Sequence, residues 1–457
     1  MPDEHSFHDR LVAALKSENE TALAEVLGNA RAADLAESFD ILDEAERSRI
    51  LFVLPPRTAA EVMVMLDEAV RGDVVDDLDT ESLTELVSKM PPDDAADVLS
   101  ELTEDEAGEI LGQLVDERSE KIEELLHYDE ETAGGIMTPD VVAVPAEATV
   151  ADAVEYVRRA TADEELHDVY IVDDTKKVVG IVPLRRLVTS PPKTLLADIC
   201  EGDPVVVSVD DDQETVVQII RKYDVSEAAV VDKNGKLIGR ITHDDLLDVA
   251  EEEAEEDLLR MAGTDAAELE TSSAFRAAWV RGMWLVPCMA GMLGSATVMT
   301  LAKTQFNVAL FATLVLFVPM IGATGGNNGI QITTIIVRGF ATGELGSMKF
   351  LRALRREGRI ATAMAPACGI LAWTLVTLFF FFRGGTVGPA DPGRVAMAVG
   401  IGMTASILMS TLMAVLLPFT FLRVGVDPAV ASGPLVTMLN DVISVTVYML
   451  ISLAIAT

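Results

Sequence analysis

The chain has 457 residues, half of them hydrophobic, and a formal net charge of −39. That length allows several domains, and so large an excess of acid excludes tracking along nucleic-acid phosphates. The charge is uneven: 69 acids stand against 23 Lys plus Arg through Phe275, and 5 against 12 from Arg276 onward. Such a break marks an acidic soluble half joined to a membrane half. Two readings of the acid stay open. Carboxylates suit divalent cations, which take oxygen ligands. A chain rich in Asp, Glu, Ala and Val, with Arg exceeding Lys, also resembles the proteins of salt-loving microbes, where acid serves solubility.

Cys200, Cys288 and Cys368 are far apart and fit no metal spacing, so they read as reduced, non-catalytic thiols. The charged, polar start MPDEHSFHDR predicts no cleavable signal sequence.

Residues 1–128 read as helices, with apolar residues at steps of three and four, as in Leu83, Leu86, Val87 and Met90. Pro55-Pro56-Arg57-Thr58-Ala59-Ala60-Glu61-Val62 is echoed by Pro91-Pro92-Asp93-Asp94-Ala95-Ala96-Asp97-Val98. An offset of 36 residues fits stacked helix pairs, with proline at the helix starts where it is tolerated.

Over 129–249 the pattern becomes strand, helix, strand, strand, helix, twice: VVAVPA, VADAVEYVRRA, VYIVDD and KVVGIVPL, then VVVSVD, ETVVQIIRKYD, AAVVD and KLIGRITHDDLLDV. This resembles a pair of CBS repeats, a regulatory module that often binds adenine nucleotides. The second copy carries the module's ribose-binding turn at Thr242 and Asp245. The first has Pro183 and Arg186 at the matching positions. The resemblance therefore implies ATP binding at the second copy and not at the first.

An acidic connecting helix is expected over 250–275. Its like charges repel one another until a cation or a basic surface neutralises them.

The remainder, 276–457, holds five stretches long enough to cross about 30 Å of hydrocarbon: Gly282–Ala302, Thr304–Val337, Ile360–Phe382, Val395–Leu422 and a last one containing Asp441. Arg276, Arg281, Arg338, Lys349, Arg352, Arg355, Arg356, Arg359 and Arg423 alternate with the sparser Lys303, Arg383 and Arg394. The excess puts the acidic half and the N-terminus in the cytoplasm and the C-terminus outside.

The second stretch carries Pro319, Gly322, Gly325, Gly326, Asn327, Asn328, Gly329 and Gln331. A broken helix is expected there, tolerable only in protein or beside a watery cavity, with freed carbonyls turned to a cation. The other reading is close packing through small residues. In the last stretch, Pro434, Thr437, Asp441, Ser444 and Tyr448 fall on one helical face. A carboxylate at mid-bilayer costs roughly 2.5–3.5 kcal/mol, so Asp441 is expected to face a wet cavity or a cation.

All five histidines lie in the soluble half, so neither HExxH nor a Ser–His pair can form within the membrane stretches, and no GxxxxGK[ST] loop occurs. An enzyme or ATP-driven pump is not expected. A channel, a secondary transporter or a membrane-anchored sensor remains.

The order of parts, Thr132-Ala133-Gly134-Gly135-Ile136-Met137-Thr138-Pro139, the Gly325-Gly326-Asn327-x-Gly329-x-Gln331 run and Pro434-Leu435-Val436-x-x-x-x-Asp441-Val442 resemble the MgtE family of magnesium channels. The resemblance spans essentially the whole chain. It implies a multidomain membrane protein: an all-α superhelical N-terminal domain, an α/β CBS pair, a connecting helix and a five-helix transmembrane domain. It implies a homodimer in the lipid bilayer, with pore residues Asp441, Asn327, Gln331, Thr437, Gly325 and Gly326. It further implies that cytoplasmic Mg2+ closes the pore by bridging acids, here Glu61, Asp94, Asp97, Asp212, Glu214, Asp224, Asp244, Asp245, Asp248, Glu253, Glu256 and Asp257. The chain departs from the family at Gly433 and Ile330, where asparagine is frequent. The alternative is a secondary transporter of Co2+, Mn2+ or Ni2+ coupled to Na+ or H+.

Overall fold

The computed structural model describes residues 4–17, 20–160, 166–265, 274–342, 350–383, 391–431 and 433–456. Lys349, and 266–273 of the expected connecting helix, lie outside them. The chain divides into two compact units, Met1–Glu251 and Glu252–Thr457.

The first unit begins with ten short helices: α1 (Glu4–Lys16), α2 (Glu20–Leu27), α3 (Ala32–Phe39), α4 (Glu44–Val53), α5 (Pro56–Val64), α6 (Glu68–Asp77), α7 (Thr80–Val87), α8 (Pro92–Ser100), α9 (Glu104–Leu111) and α10 (Asp116–Leu125). Helices two apart pack together, α3 on α5, α5 on α7 and α7 on α9, which gives the superhelix expected from the repeat. Each copy of the Pro-Pro motif opens a helix, α5 and α8, where proline costs no intrahelical hydrogen bond.

Two three-stranded sheets follow. The first contains β1 (Ala143–Pro145), β2 (Asp168–Val172) and β3 (Val178–Pro183), with α11 (Val150–Arg159) between β1 and β2 and α12 (Leu184–Thr189) after β3. After α13 (Leu196–Ile199) the second contains β4 (Val206–Ser208), β5 (Ala228–Val231) and β6 (Leu237–Ile241), with α14 (Gln213–Tyr223) between β4 and β5. In both sheets the first pair is parallel, the second antiparallel, and a register shift falls near the end of the middle strand. The strands are buried Val, Ile and Ala, and one apolar core joins the second sheet to the helical repeats.

Arg240 on β6 and Glu227 just before β5 form a buried ion pair at 2.9 Å, and Arg240 Nε also donates to the Asp140 carbonyl at 3.1 Å. Burial and the nearby Glu227 carboxylate push the Asp168 carboxyl up to about 6.

Helix α15 (His243–Ala262) closes the second repeat and runs into the second unit. It ends at Gly263, whose φ of +83° glycine adopts at little cost. Gly263 N–H donates to the Arg260 carbonyl and Thr264 N–H to the Leu259 carbonyl, the paired bonds of a Schellman stop.

Five spans among the described residues are long and apolar enough to cross a membrane. They are α16 (Ala274–Lys303), α17 (Val308–Val315) with α18 (Val318–Ala341), α19 (Phe350–Phe382), α20 (Pro392–Val424) and α21 (Pro434–Ala456). Helix α20 packs against α18, α19 and α21, and α21 packs against α16 and α18.

The expected break in the glycine run does not occur. Helix α18 is continuous from Val318 through all the glycines to Ala341. The interruption falls earlier, between α17 and α18, with Pro319 in the first turn of α18. Proline lacks an N–H and is tolerated there, whereas glycines inside a membrane helix keep their backbone bonds and lose only a side chain. The alternative reading, close packing, is what the glycines do.

Candidate ion-conducting site

The site is built on the contact between α18 and α21. A Cβ on Gly325 would lie 2.6 Å from Ser444 Oγ, one on Gly322 3.2 Å from Asp441 Oδ1, and one on Gly326 3.6 Å from the Thr437 methyl. At Gly329 a Cβ would collide with the Asn440 amide. Glycine at these steps of three and four lets α21 lie against the α18 backbone, which places Asp441 beside Gly322.

Asp441 is half-buried, and among the described residues no hydrogen bond or ion pair reaches it. The face predicted to be polar divides. Thr437 returns its hydroxyl to the Gly433 carbonyl at 2.9 Å. Ser444 accepts from Ser406 at 2.6 Å, and Tyr448 donates to the Leu314 carbonyl at 3.0 Å, both buried. Ser444 and Tyr448 are therefore packing residues, and Asp441 keeps an unused carboxylate.

Gly325 and Gly326 are buried in the helix contact, and the Gly325 carbonyl accepts from Ser410 at 2.6 Å. Asn327 and Gln331 are exposed, four residues apart on the side of α18 away from α21. The single chain thus does not bring Asn327 and Gln331 together with Asp441. Their neighbour Asn328 turns inward and donates to the Ile407 carbonyl, Ser410 and Thr411 on α20.

Sequence reasoning missed Asn440. It is fully buried, and neither amide atom has a partner among the described residues. Its place directly before Asp441 was the available signal.

The proposed sensor acids fall in both units. In the first, Glu61 on α5 is exposed and pairs with Arg57 at 3.4 Å, and Asp94 and Asp97 lie on α8. Asp212 caps α14, accepting from Glu214 N–H at 3.0 Å; the Glu214 carboxylate accepts from Gln218 at 3.1 Å. Asp224 ends the same helix in the left-handed region. The Thr242 hydroxyl reaches Asp244 at 2.5 Å and Asp245 at 2.6 Å, and burial raises the Asp245 carboxyl. Asp248 is raised by burial and by Asp244 and Glu251. At the matching turn of the first repeat, Arg186 instead donates to the Ile199 carbonyl at 3.0 Å and pairs with Glu201 at 3.1 Å.

In the second unit the end of α15 gathers charge. Arg260 bonds Asp427 at 2.6 Å and also pairs with Glu256. Burial, then the carboxylates of Asp427 and Glu253, push Asp257 up to about 6. Asp427, in the loop after α20, was not foreseen. Among the described residues no three His, Cys, Asp or Glu side chains converge closely enough to hold a metal ion.

The same end of α15 abuts the start of α21. A Cβ on Gly433 would overlap the Met261 carbonyl, and one on Gly263 would overlap Pro434. Gly433 has φ +57°, a conformation that asparagine tolerates, so the space already taken by the Met261 carbonyl, and not backbone shape, is what excludes a side chain there.

Family models match along the chain: the MgtE intracellular N domain over 30–131, CBS domains over 133–192 and 196–252, and the divalent cation transporter MgtE over 318–451. The magnesium transporter MgtE of Thermus thermophilus is 34% identical over 332 residues, 72% of this chain and 71% of that protein. The chain belongs to the MgtE family. The magnesium transporter MgtE of Enterococcus faecalis is likewise 34% identical, over 73% of this chain and 71% of that protein. Among solved structures, the cytosolic domain of the Mg2+ channel MgtE in complex with ATP is similar with a TM-score of 0.51 and 34% identity. It covers 53% of this chain and 99% of its own. The soluble part of a magnesium transporter follows at 0.50 and 31%, covering 55% and 99%. The MgtE membership and the five spans make this a multi-pass membrane transporter of magnesium, and its relatives are named as transporters.

Proposed function

We propose that this MgtE protein is a magnesium-selective passive channel, working as a homodimer and closed by cytoplasmic Mg2+. The observation that carries the reading is Asp441, an unpaired carboxylate within a membrane span, set against a glycine. Such a group is costly in lipid and marks an ion path. Mg2+ sheds water reluctantly, so two copies of Asp441 facing across a dimer axis would accept hydrogen bonds from its hydration shell.

The outward amides of Asn327 and Gln331 support the dimer. Lipid leaves such groups unmatched, and a second copy around a watery path satisfies them. In this arrangement Asn327, Gln331 and Thr437 line the path with Asp441, while Gly325 and Gly326 set the helix spacing. The basic ends of the spans favour a cytoplasmic N-terminus and an external C-terminus.

Closure has a direct physical basis. The acids of the helical repeats, the CBS pair and α15 repel one another without cations and are held together with them. A ligand that binds the closed arrangement better shifts the population towards it. The contact of Met261 with Gly433 links α15 to the helix that carries Asp441. The Thr242–Asp245 turn supports ATP binding at the second CBS repeat, while Arg186, committed to Glu201, disfavours it at the first.

The test is Mg2+ uptake into proteoliposomes by wild type and Asp441→Asn, with Mg2+ on the soluble-domain side low and then high. Expected are wild-type uptake, its loss in the variant, and suppression by Mg2+ on that side. Uptake by Asp441→Asn equal to wild type would overturn the assignment. Flux that requires a Na+ or H+ gradient would favour a coupled transporter instead.

A further inference from the structure

Within the second unit, one charged surface has no role in ion conduction as described above. Helix α19 opens with Arg352, Arg355, Arg356 and Arg359. These positions keep the four side chains on one arc of the helix. Leu351 and Ile360 flank the arc and are exposed, and the same six side chains wall a surface groove of about 580 Å³.

The opposite side of α19 is fixed. Ala353 is buried in a cluster with Ile332, Ile336, Ala414 and Val415. Phe350 meets Phe419 edge-on at 5.6 Å, and Phe340 meets Phe419 at 5.1 Å. The arginines are therefore presented on a rigid support. Among the described residues, the one carboxylate that reaches them is Glu357, at 3.8 Å from Arg356 Nε. This is notable in a chain with 74 acids, most of them in its first half.

Depth follows from length. Ile360 to Phe382 is apolar and spans about 34 Å at 1.5 Å per residue, enough to fill the hydrocarbon layer. The turns before Ile360 then lie at headgroup level. A guanidinium forms paired hydrogen bonds to phosphate oxygens, and basic clusters beside a span attract anionic lipid.

We propose that Arg352, Arg355, Arg356 and Arg359 bind the phosphodiester headgroup of an anionic membrane lipid, with Leu351 and Ile360 against the first part of its acyl chains. The two exposed apolar flanks, continuous with the lipid-facing side of α19, favour a lipid over free phosphate or an acidic protein surface.

The experiment uses the purified full chain in a neutral detergent and measures bound lipid by native mass spectrometry and thermal midpoint by fluorescence. Phosphatidylglycerol and phosphatidylcholine of identical chains are added in turn. Wild type is expected to retain phosphatidylglycerol and gain thermal stability from it, and to do neither with phosphatidylcholine. Arg355→Gln with Arg359→Gln, which leaves two arginines to hold topology, is expected to bind phosphatidylglycerol about thirtyfold more weakly. Equal response of wild type to the two lipids overturns the proposal without any variant. So does undiminished phosphatidylglycerol binding by a folded double variant. Displacement of the lipid by inorganic phosphate at equal concentration would assign the site to free phosphate, and displacement by polyglutamate to an acidic protein surface. Either result overturns the lipid assignment.

Discussion

In the first unit the guanidinium of Arg240, 2% exposed, meets Glu227 at 2.9 Å and the Asp140 carbonyl at 3.1 Å. In the second unit the carboxylate of Asp441 meets no partner among the described residues. The contrast recurs between two buried asparagines of the membrane helices: Asn328 donates to three groups on α20, and Asn440 has none. Burial of a polar group is costly, so a matched one belongs to the architecture. An unmatched one next to Asp441 indicates that the fold carries a cost there for another purpose. The comparison separates two kinds of buried polarity better than charge or depth alone.

The largest expected effect tests the matched side. Arg240→Met leaves Glu227 buried without its cation and should destabilise the first unit by about 3–5 kcal/mol, seen as a lower denaturation midpoint. Adding Glu227→Leu should restore most of the loss, because an apolar pair avoids the desolvation cost. Asp441→Asn, by contrast, should leave the unfolding midpoint within a few degrees of wild type while abolishing uptake. A large loss of stability in Asp441→Asn would place that residue with Arg240.

Next in size is Asn328→Leu. It removes the donor that ties α18 to α20 and should cost about 1–3 kcal/mol, read as a lower thermal midpoint in detergent. Gly329→Ala should cost a similar amount, about 1–3 kcal/mol by overpacking, since its methyl would meet the Asn440 amide. Had the glycine run served only to loosen a helix, Gly329→Ala would instead stabilise the protein.

These expectations mark what the sequence made legible. The 36-residue echo located α5 and α8, and the repeated strand–helix order located both sheets, because period and proline position are local properties. Asp441 stood out because a lone acid in an apolar span needs no neighbour to be noticed. The glycine run was misjudged for the opposite reason. Its role depends on Asn440, Asp441 and Ser444 of another helix, over a hundred residues away. Ser444 and Tyr448 share a helical face with Asp441, yet their partners Ser406 and Leu314 belong to neighbouring helices, and periodicity contains no such information. For the same reason the proposed sensor acids could be named but not grouped, and Asp427 was overlooked beside Arg260.

A smaller effect concerns pH. The carboxyl of Asp168 is raised to about 6 by burial and by Glu227, above its value in the unfolded chain. The folded state therefore holds this proton more tightly. The contribution is fully present below about pH 4 and is lost as pH rises through about 6. Asp168→Asn should remove that slope and raise stability at pH 7 by on the order of 1 kcal/mol once solvent screening is allowed for. Denaturation midpoints at pH 5 and pH 7 check it; an unchanged slope would show that other groups set it.

The smallest expected effect bears most directly on the comparison. Asn440→Leu keeps the branched side-chain outline, adds the same bulk as Asn328→Leu, and removes two donors and an acceptor that have no partner among the described residues. Taking away a buried amide that makes no hydrogen bond forfeits no interaction and relieves its desolvation, so stability should stay within about 0.5 kcal/mol of wild type or rise. The same substitution at Asn328 should lower it. The pair is informative because both residues are asparagines, both are buried, and both lie in membrane helices packed around Gly325 and Gly329. Their thermal midpoints in one detergent should therefore move in opposite directions, or one should move and the other stay. If Asn440→Leu falls as far as Asn328→Leu, its amide is matched in the working protein, and the division between structural and unmatched polarity loses its second example.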